Sequence, residues 1–222
     1  METPVTRKRL QDHLAYSWWK YALLIIIAAM GWNIIYSMTA YRSPEEKKVI
    51  VGVYSSGSET NLAAYMQQVQ QIHLQDMEQV EPMYILPDEM YGDMILTTRI
   101  VANECDIYVL PGTQFQNWAA QGAFMPLDEL LPGLESDLTD AGISLSRGRR
   151  VNEATGEKHL YGIPCKDLPG AMNLLWTDTS DLYIGVFHTT GNDENVLKFM
   201  DIFVHDLMNE PPATPTDLMP AN

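Results

Sequence analysis

Residues 21–40 run for twenty positions without a charge, and no other feature limits the fate of this chain so strongly. A helix needs roughly 20 apolar residues to cross a hydrocarbon layer of about 30 Å, so the segment is long enough to span. Trp18, Trp19 and Tyr21 stand at one end and Tyr36 and Tyr41 at the other, where amphipathic rings favour the headgroup region. Asn33 lies near an end, within reach of water or headgroups. Arg7, Lys8, Arg9 and Lys20 precede the span, while Arg42, Lys47 and Lys48 follow it. This excess of basic residues before the span favours a cytoplasmic amino terminus. The prediction is a retained signal anchor, with 1–20 cytoplasmic, 21–40 in the membrane as the bilayer contact, 41–48 a linker, and the rest extracellular. A cleaved signal peptide is the rival, favoured by the small Ala40 and opposed by the long leading segment and the bulky Met38. No cysteine directly follows the run, so the lipobox of lipid-tethered surface proteins is missing.

Charge separates the two parts of the chain. Residues 1–48 carry 7 basic and 4 acidic side chains, whereas 49–222 carry 7 basic and 25 acidic ones, a net −18. Such a surface repels a phosphate backbone, so nucleic acid is excluded as a partner. The carboxylates are read as a solubilising surface rather than a trap for cations. Cys105 and Cys165 are too few for a disulfide scaffold and lack C-x-x-C spacing. If Cys105 begins one strand and Cys165 ends a parallel one, they lie toward opposite ends of the sheet and stay free.

After residue 48 the hydrophobic period changes. VIVGVY at 49–54 reads as a buried strand stopped by SSGS at 55–58, and Leu62, Met66, Val69 and Ile72 then fall at helical spacing within 59–79. Ser58 is placed to cap that helix. The unit repeats: strand at 81–86, helix at 88–103, strand at 106–110, helix at 114–121. Alternating strands and helices predict an α/β fold with a mainly parallel sheet and flanking helices. In such sheets a ligand binds beyond the carboxyl ends of the strands. Residues 211–222 contain four prolines and are expected to form a disordered tail.

Three motifs in order are specific enough to suggest a relationship: DIYVLP at 106–111, WAAQGAFMPLDELL at 118–131 and YGIP at 161–164. They resemble the extracellular solute-binding proteins of ABC importers, in particular the carbohydrate-binding type, whose fold is periplasmic-binding-protein-like. In that family the Y-G-I-P strand leads through a hinge strand, similar to AMNLLW at 171–176, into a second lobe. A returning strand, similar to LYIGVF at 182–187, then precedes a helix similar to NVLKFMDIFV at 195–204. Here only TDTSD at 177–181 intervenes. The resemblance implies a single lobe over 49–210, the second lobe having been excised at its hinge.

By position, Tyr54, Ser55, Ser56, Thr113, Phe115, Cys165 and His188 would line the family's cleft, offering hydroxyls and ring faces to a polar solute or sugar. A plain turn and helix cap is the competing account of Ser55 and Ser56. Trp118 lies within a helix and is expected to pack on the sheet. Asp193 and Glu194 are read as first-turn helix acids, and Arg147, Arg149 and Arg150 as an exposed loop. The sequence has no H-E-x-x-H, G-x-S-x-G or P-loop motif, so no enzyme, metal or cofactor is predicted. The resemblance implies a membrane-anchored extracellular module that binds solute weakly, associated with an ABC-type sugar uptake system. The alternative is a non-catalytic structural or regulatory partner, contacting another membrane protein or a second copy through the exposed former cleft.

Overall fold

The computed structural model describes residues 7–39, 41, 43–88, 90–188 and 191–209. The chain divides into two units, Met1–Arg42 and Ser43–Asn222. Among the described residues the first contains the helix α1 (Arg7–Thr39). Its segment Tyr16–Thr39 is long and apolar enough to cross a membrane, with a mean hydropathy of 1.8. Ile25, Ile26 and Ile27 are consecutive and all exposed, so this segment is apolar all round, as a lipid-facing helix is. Ala40 and the 211–222 tail lie outside the described residues.

The second unit is a mixed α/β domain with a mostly parallel sheet. Its elements are β1 (Lys48–Tyr54), α2 (Glu59–His73), β2 (Gln79–Ile85), α3 (Gly92–Val101), β3 (Ile107–Pro111), α4 (Gly112–Ala120), α5 (Leu127–Leu130) and α6 (Pro132–Asp140). There follow β4 (Arg149–Val151), β5 (Lys158–Leu160), β6 (Ile163–Pro164), α7 (Ala171–Leu175), β7 (Leu182–Val186) and α8 (Asp193–Asn209). Strand order is β2-β1-β3-β7-β6, and β4 and β5 form a separate hairpin. β1 pairs in parallel with β2 and β3, while β7 runs against both β3 and β6.

Alternation along the strands divides the core. Val49, Val51, Val53, Ile107, Val109, Ile184 and Val186 join one cluster with residues from α2, α6, α7 and α8. In α8 the buried residues are Val196, Phe199, Met200, Phe203, Val204 and Leu207, one stripe at helical spacing. On the other face Tyr108, Leu110 and Tyr183 pack with Leu96 and Ile100 of α3, Phe115 and Ala119 of α4, and Phe124. Gly185 makes room there: a Cβ at this position would stand 2.9 Å from the Phe124 ring and from the Tyr161 carbonyl oxygen.

The structure departs from the sequence reading in several places. Residues 171–176 do not form a hinge strand: Ala171, Leu174 and Leu175 are the buried face of helix α7, an i, i+3, i+4 pattern. The helix expected over 88–103 begins only at Gly92, because the Asp88 carboxylate accepts the N–H groups of Met90 and Tyr91 and holds a turn. The helix expected over 59–79 stops at His73, and Gln79 already belongs to β2. Arg149 and Arg150 are not in an exposed loop but in the β4–β5 hairpin, where half-buried Arg149 is paired with Asp128 and Glu135.

Candidate functional site: the carboxyl edge of the sheet

β1, β2 and β3 end on one edge, and the segment between α7 and β7 crosses the same edge because Leu182 pairs with Pro111. Ser55, just past β1, is buried; its N–H donates to the Ile85 carbonyl at 3.1 Å and its hydroxyl donates to Thr177 Oγ1 at 2.8 Å. The Gly57 N–H donates back to Ser55 Oγ at 3.1 Å, and Ser58 caps α2 through the Thr60 N–H. A Cβ on Gly57 would meet the Leu175 carbonyl oxygen at 2.5 Å, so glycine is what allows the β1–α2 turn to lie against the end of α7. Asn61 Nδ2 donates to the Asn173 carbonyl at 3.1 Å, a second tie between α2 and α7.

Trp176 ends α7 in the left-handed region, with φ 50° and ψ 42°. Its side chain is 63% exposed and Met172 beside it 60%. Together with Asn173, Thr177 and Asp178 they line an open cleft of about 450 Å³. The Asp178 carboxylate accepts the Ser180 N–H at 3.0 Å, and this bond holds its pKa below the usual carboxylate value. Farther along the edge, Asp181 closes the start of α4: the Gly112 N–H donates to its carbonyl oxygen at 2.8 Å and faces its carboxylate at 3.2 Å. Tyr54 donates to Asp93 Oδ1 at 2.8 Å, and Gln114 Nε2 donates to the same oxygen. Burial first, and then the Asp93 hydrogen bond, push the Tyr54 phenol up to about 12.

Of the seven residues singled out in the sequence, Tyr54, Ser55, Ser56 and Thr113 meet at this edge. Ser56 and Thr113 are exposed, whereas the hydroxyls of Tyr54 and Ser55 are bound within the protein. The structure does not bring the other three to an open cleft. Phe115 is fully buried, stacked on Tyr183 at 4.8 Å between ring centroids. Cys165 follows β6 but is fully buried in the core of the opposite face. His188 is exposed at the other end of the sheet, because β7 runs against β3 and its exit lies beside Asp106. Sequence reasoning passed over Trp176, Met172 and Asn173 because it placed them in a strand. The i, i+3, i+4 pattern of Ala171, Leu174 and Leu175 was the available signal. Trp118 packs half-buried against the core, and Asp193 and Glu194 occupy the first turn of α8, both as expected. Among the described residues no group of three or more His, Cys, Asp or Glu side chains could hold a metal ion.

The fold and edge together define a mixed α/β domain with an open cleft at the carboxyl ends of its strands. No protein-family model matches the chain, and no curated protein matches it in sequence. Among the solved structures that resemble it are three solute-binding proteins. One is an extracellular solute-binding protein family 1 member from Alicyclobacillus acidocaldarius, at 14% identity and a TM-score of 0.36. The others are ABC transporter solute-binding proteins from Agrobacterium radiobacter, in complex with ribitol (12%, TM-score 0.35), and from Agrobacterium vitis, with bound D-mannitol (14%, TM-score 0.31). Each alignment covers 53% of this chain and 27 or 28% of the solved one, so the chain spans about a quarter of their length.

Proposed function

We propose that this chain is a membrane-anchored, extracellular solute-binding module, carried on α1 and working through one lobe over residues 49–210, in association with an ABC-type uptake system. The observation that carries the reading is the exposed Trp176 ring beside Asn173, Thr177 and Asp178 at the carboxyl edge: a flat apolar face with polar groups around it suits the face and hydroxyls of a neutral polyol or sugar. The motif resemblance at 106–131 and 161–164 supports the same class. A cleft with one wall leaves much of a ligand in water, so affinity is weak. Calorimetric titration of the full chain in a polyoxyethylene detergent, with neutral sugars and polyols, tests this. Weak binding lost in Trp176→Ala is expected, and binding that ignores Trp176 refutes the site. Anchoring and orientation are tested by protease treatment of intact cells, which removes the acidic domain if it is outside and spares it if it is not.

A second reading has its own support. Leu86, Met90, Tyr91 and Met94 follow the carboxyl end of β2 and are 54–75% exposed. Large apolar side chains in water are a feature of protein contact surfaces. In this reading the edge docks a membrane protein or a second copy, and Met90→Glu with Met94→Glu abolishes co-purification or self-association while leaving sugar binding intact.

A further inference from the structure

A second cavity, of about 240 Å³, opens where β6 ends and β7 begins, and is lined by Ser144, Arg147, Lys166, Asp167, Ser180 and Tyr183 among others. Its charge runs against that of the domain around it. The other arginines within residues 43–209 have partners: Arg99 pairs with Glu104, Arg149 with Asp128 and Glu135, and Arg150 Nη1 donates to the Arg149 carbonyl. Arg147 and Lys166 are exposed, and neither makes a side-chain hydrogen bond or ion pair with any described residue. Two like charges lining one cavity repel each other, and an anion between them turns that repulsion into attraction. Tyr183 lines the cavity as well; its ring is stacked on Phe115, and its hydroxyl makes no hydrogen bond to a described residue. Ser144 and Ser180 bring two further hydroxyls to the wall, and Asp167 brings one carboxylate that can only accept.

We infer that this cavity binds a small hydroxylated anion, of the sugar-acid or sugar-phosphate class. Arg147 and Lys166 take the anionic head in charge-assisted hydrogen bonds, and Asp167 accepts from a ligand hydroxyl. A fully deprotonated anion such as sulfate has no hydrogen to offer Asp167 and meets its charge. The inference goes beyond the reading at Trp176 and uses none of its residues, so each can fail alone.

The test is calorimetric titration of the full chain in a polyoxyethylene detergent with D-gluconate, glucose 6-phosphate, D-glucose and inorganic sulfate. Binding of gluconate or glucose 6-phosphate that weakens with salt is expected, and which of the two binds tells a carboxylate head from a phosphate. Arg147→Gln and Lys166→Gln should each weaken it about tenfold, Asp167→Asn should weaken the sugar anions but not sulfate, and Trp176→Gly should leave it unchanged. All these side chains are exposed, and circular dichroism checks that the variants fold. Lack of binding by either sugar anion at millimolar concentration, or binding unchanged in the double Arg147→Gln, Lys166→Gln variant, overturns the site. Inorganic sulfate binding as tightly as the sugar anions overturns the assignment of Asp167.

Discussion

The hydroxyl of Ser55 donates to Thr177 Oγ1 at 2.8 Å across 122 positions of sequence, fastening the end of β1 to the segment that carries Trp176. The Gly57 N–H donates to Ser55 Oγ, so the one buried serine side chain serves two bonds. Ser55→Ala leaves the Gly57 N–H without that acceptor in a half-buried turn, and Thr177 without its donor. The expected loss is about 1–3 kcal/mol of unfolding free energy, read as a lower urea midpoint at unchanged slope. An unchanged midpoint would mean that water replaces the bridge without cost.

Trp176 holds a left-handed conformation that costs a non-glycine residue roughly 1–2 kcal/mol, and its exposed ring regains little by packing. Trp176→Gly is therefore expected to leave the domain as stable as before or more stable by about 1 kcal/mol, while removing neutral-solute binding. A clear drop in unfolding midpoint would show that the ring stabilises the fold.

Two groups make stability fall with rising pH. Burial raises the Asp106 carboxyl from 3.8 to about 6, although its bond from the Ile50 N–H, at 2.8 Å, opposes the shift. The folded state thus holds this proton more tightly than the unfolded one, so Asp106 favours folding most below about 3.8 and loses that contribution as pH rises through about 6. For His205, burial acts to lower the pKa, but the hydrogen bonds to Asp137 and to the Asp201 carbonyl and the charges of both aspartates outweigh it, and the net shift is upward. Its stabilisation is complete below 6.5 and disappears as pH rises through the folded value. Asn at position 106 can still accept the Ile50 N–H. Asp106→Asn should match the wild type near pH 4 and exceed it by up to about 3 kcal/mol near pH 7. A difference that does not change with pH would contradict this.

Cys105 and Cys165 are free and belong to the two different core clusters. Burial pushes the Cys105 thiol up to about 12 and the Cys165 thiol higher still. Both thiols are therefore protonated and shielded at neutral pH. Iodoacetamide should leave the native chain unmodified and add two labels after denaturation without reductant, as counted by intact mass. Zero labels in the denatured chain would indicate a disulfide.

Sequence alone determined whatever depends on neighbouring residues. The uncharged run before residue 40 needed only counting, and VIVGVY at 49–54 is so densely apolar and β-branched that a buried strand is its natural state. Ser58 was legible as a cap because its acceptor serves an N–H two residues away. Tertiary structure decided whatever depends on partners distant in the chain. No local signal in residues 182–187 tells which way that strand runs, since β-branched and aromatic residues fit either direction, and pairing of Val186 with Ile107 sets it antiparallel. That reversal sends His188 to the far edge, while the alternation of inward and outward side chains leaves Phe115 and Tyr183 in one core and Cys165 in the other. Trp176 reaches the surface for a similar reason: Leu174 and Leu175 are taken up by the core beneath α2 and α8, so the next residue must turn out of the helix, and the glycine at 57 lets the first loop come close enough to meet it.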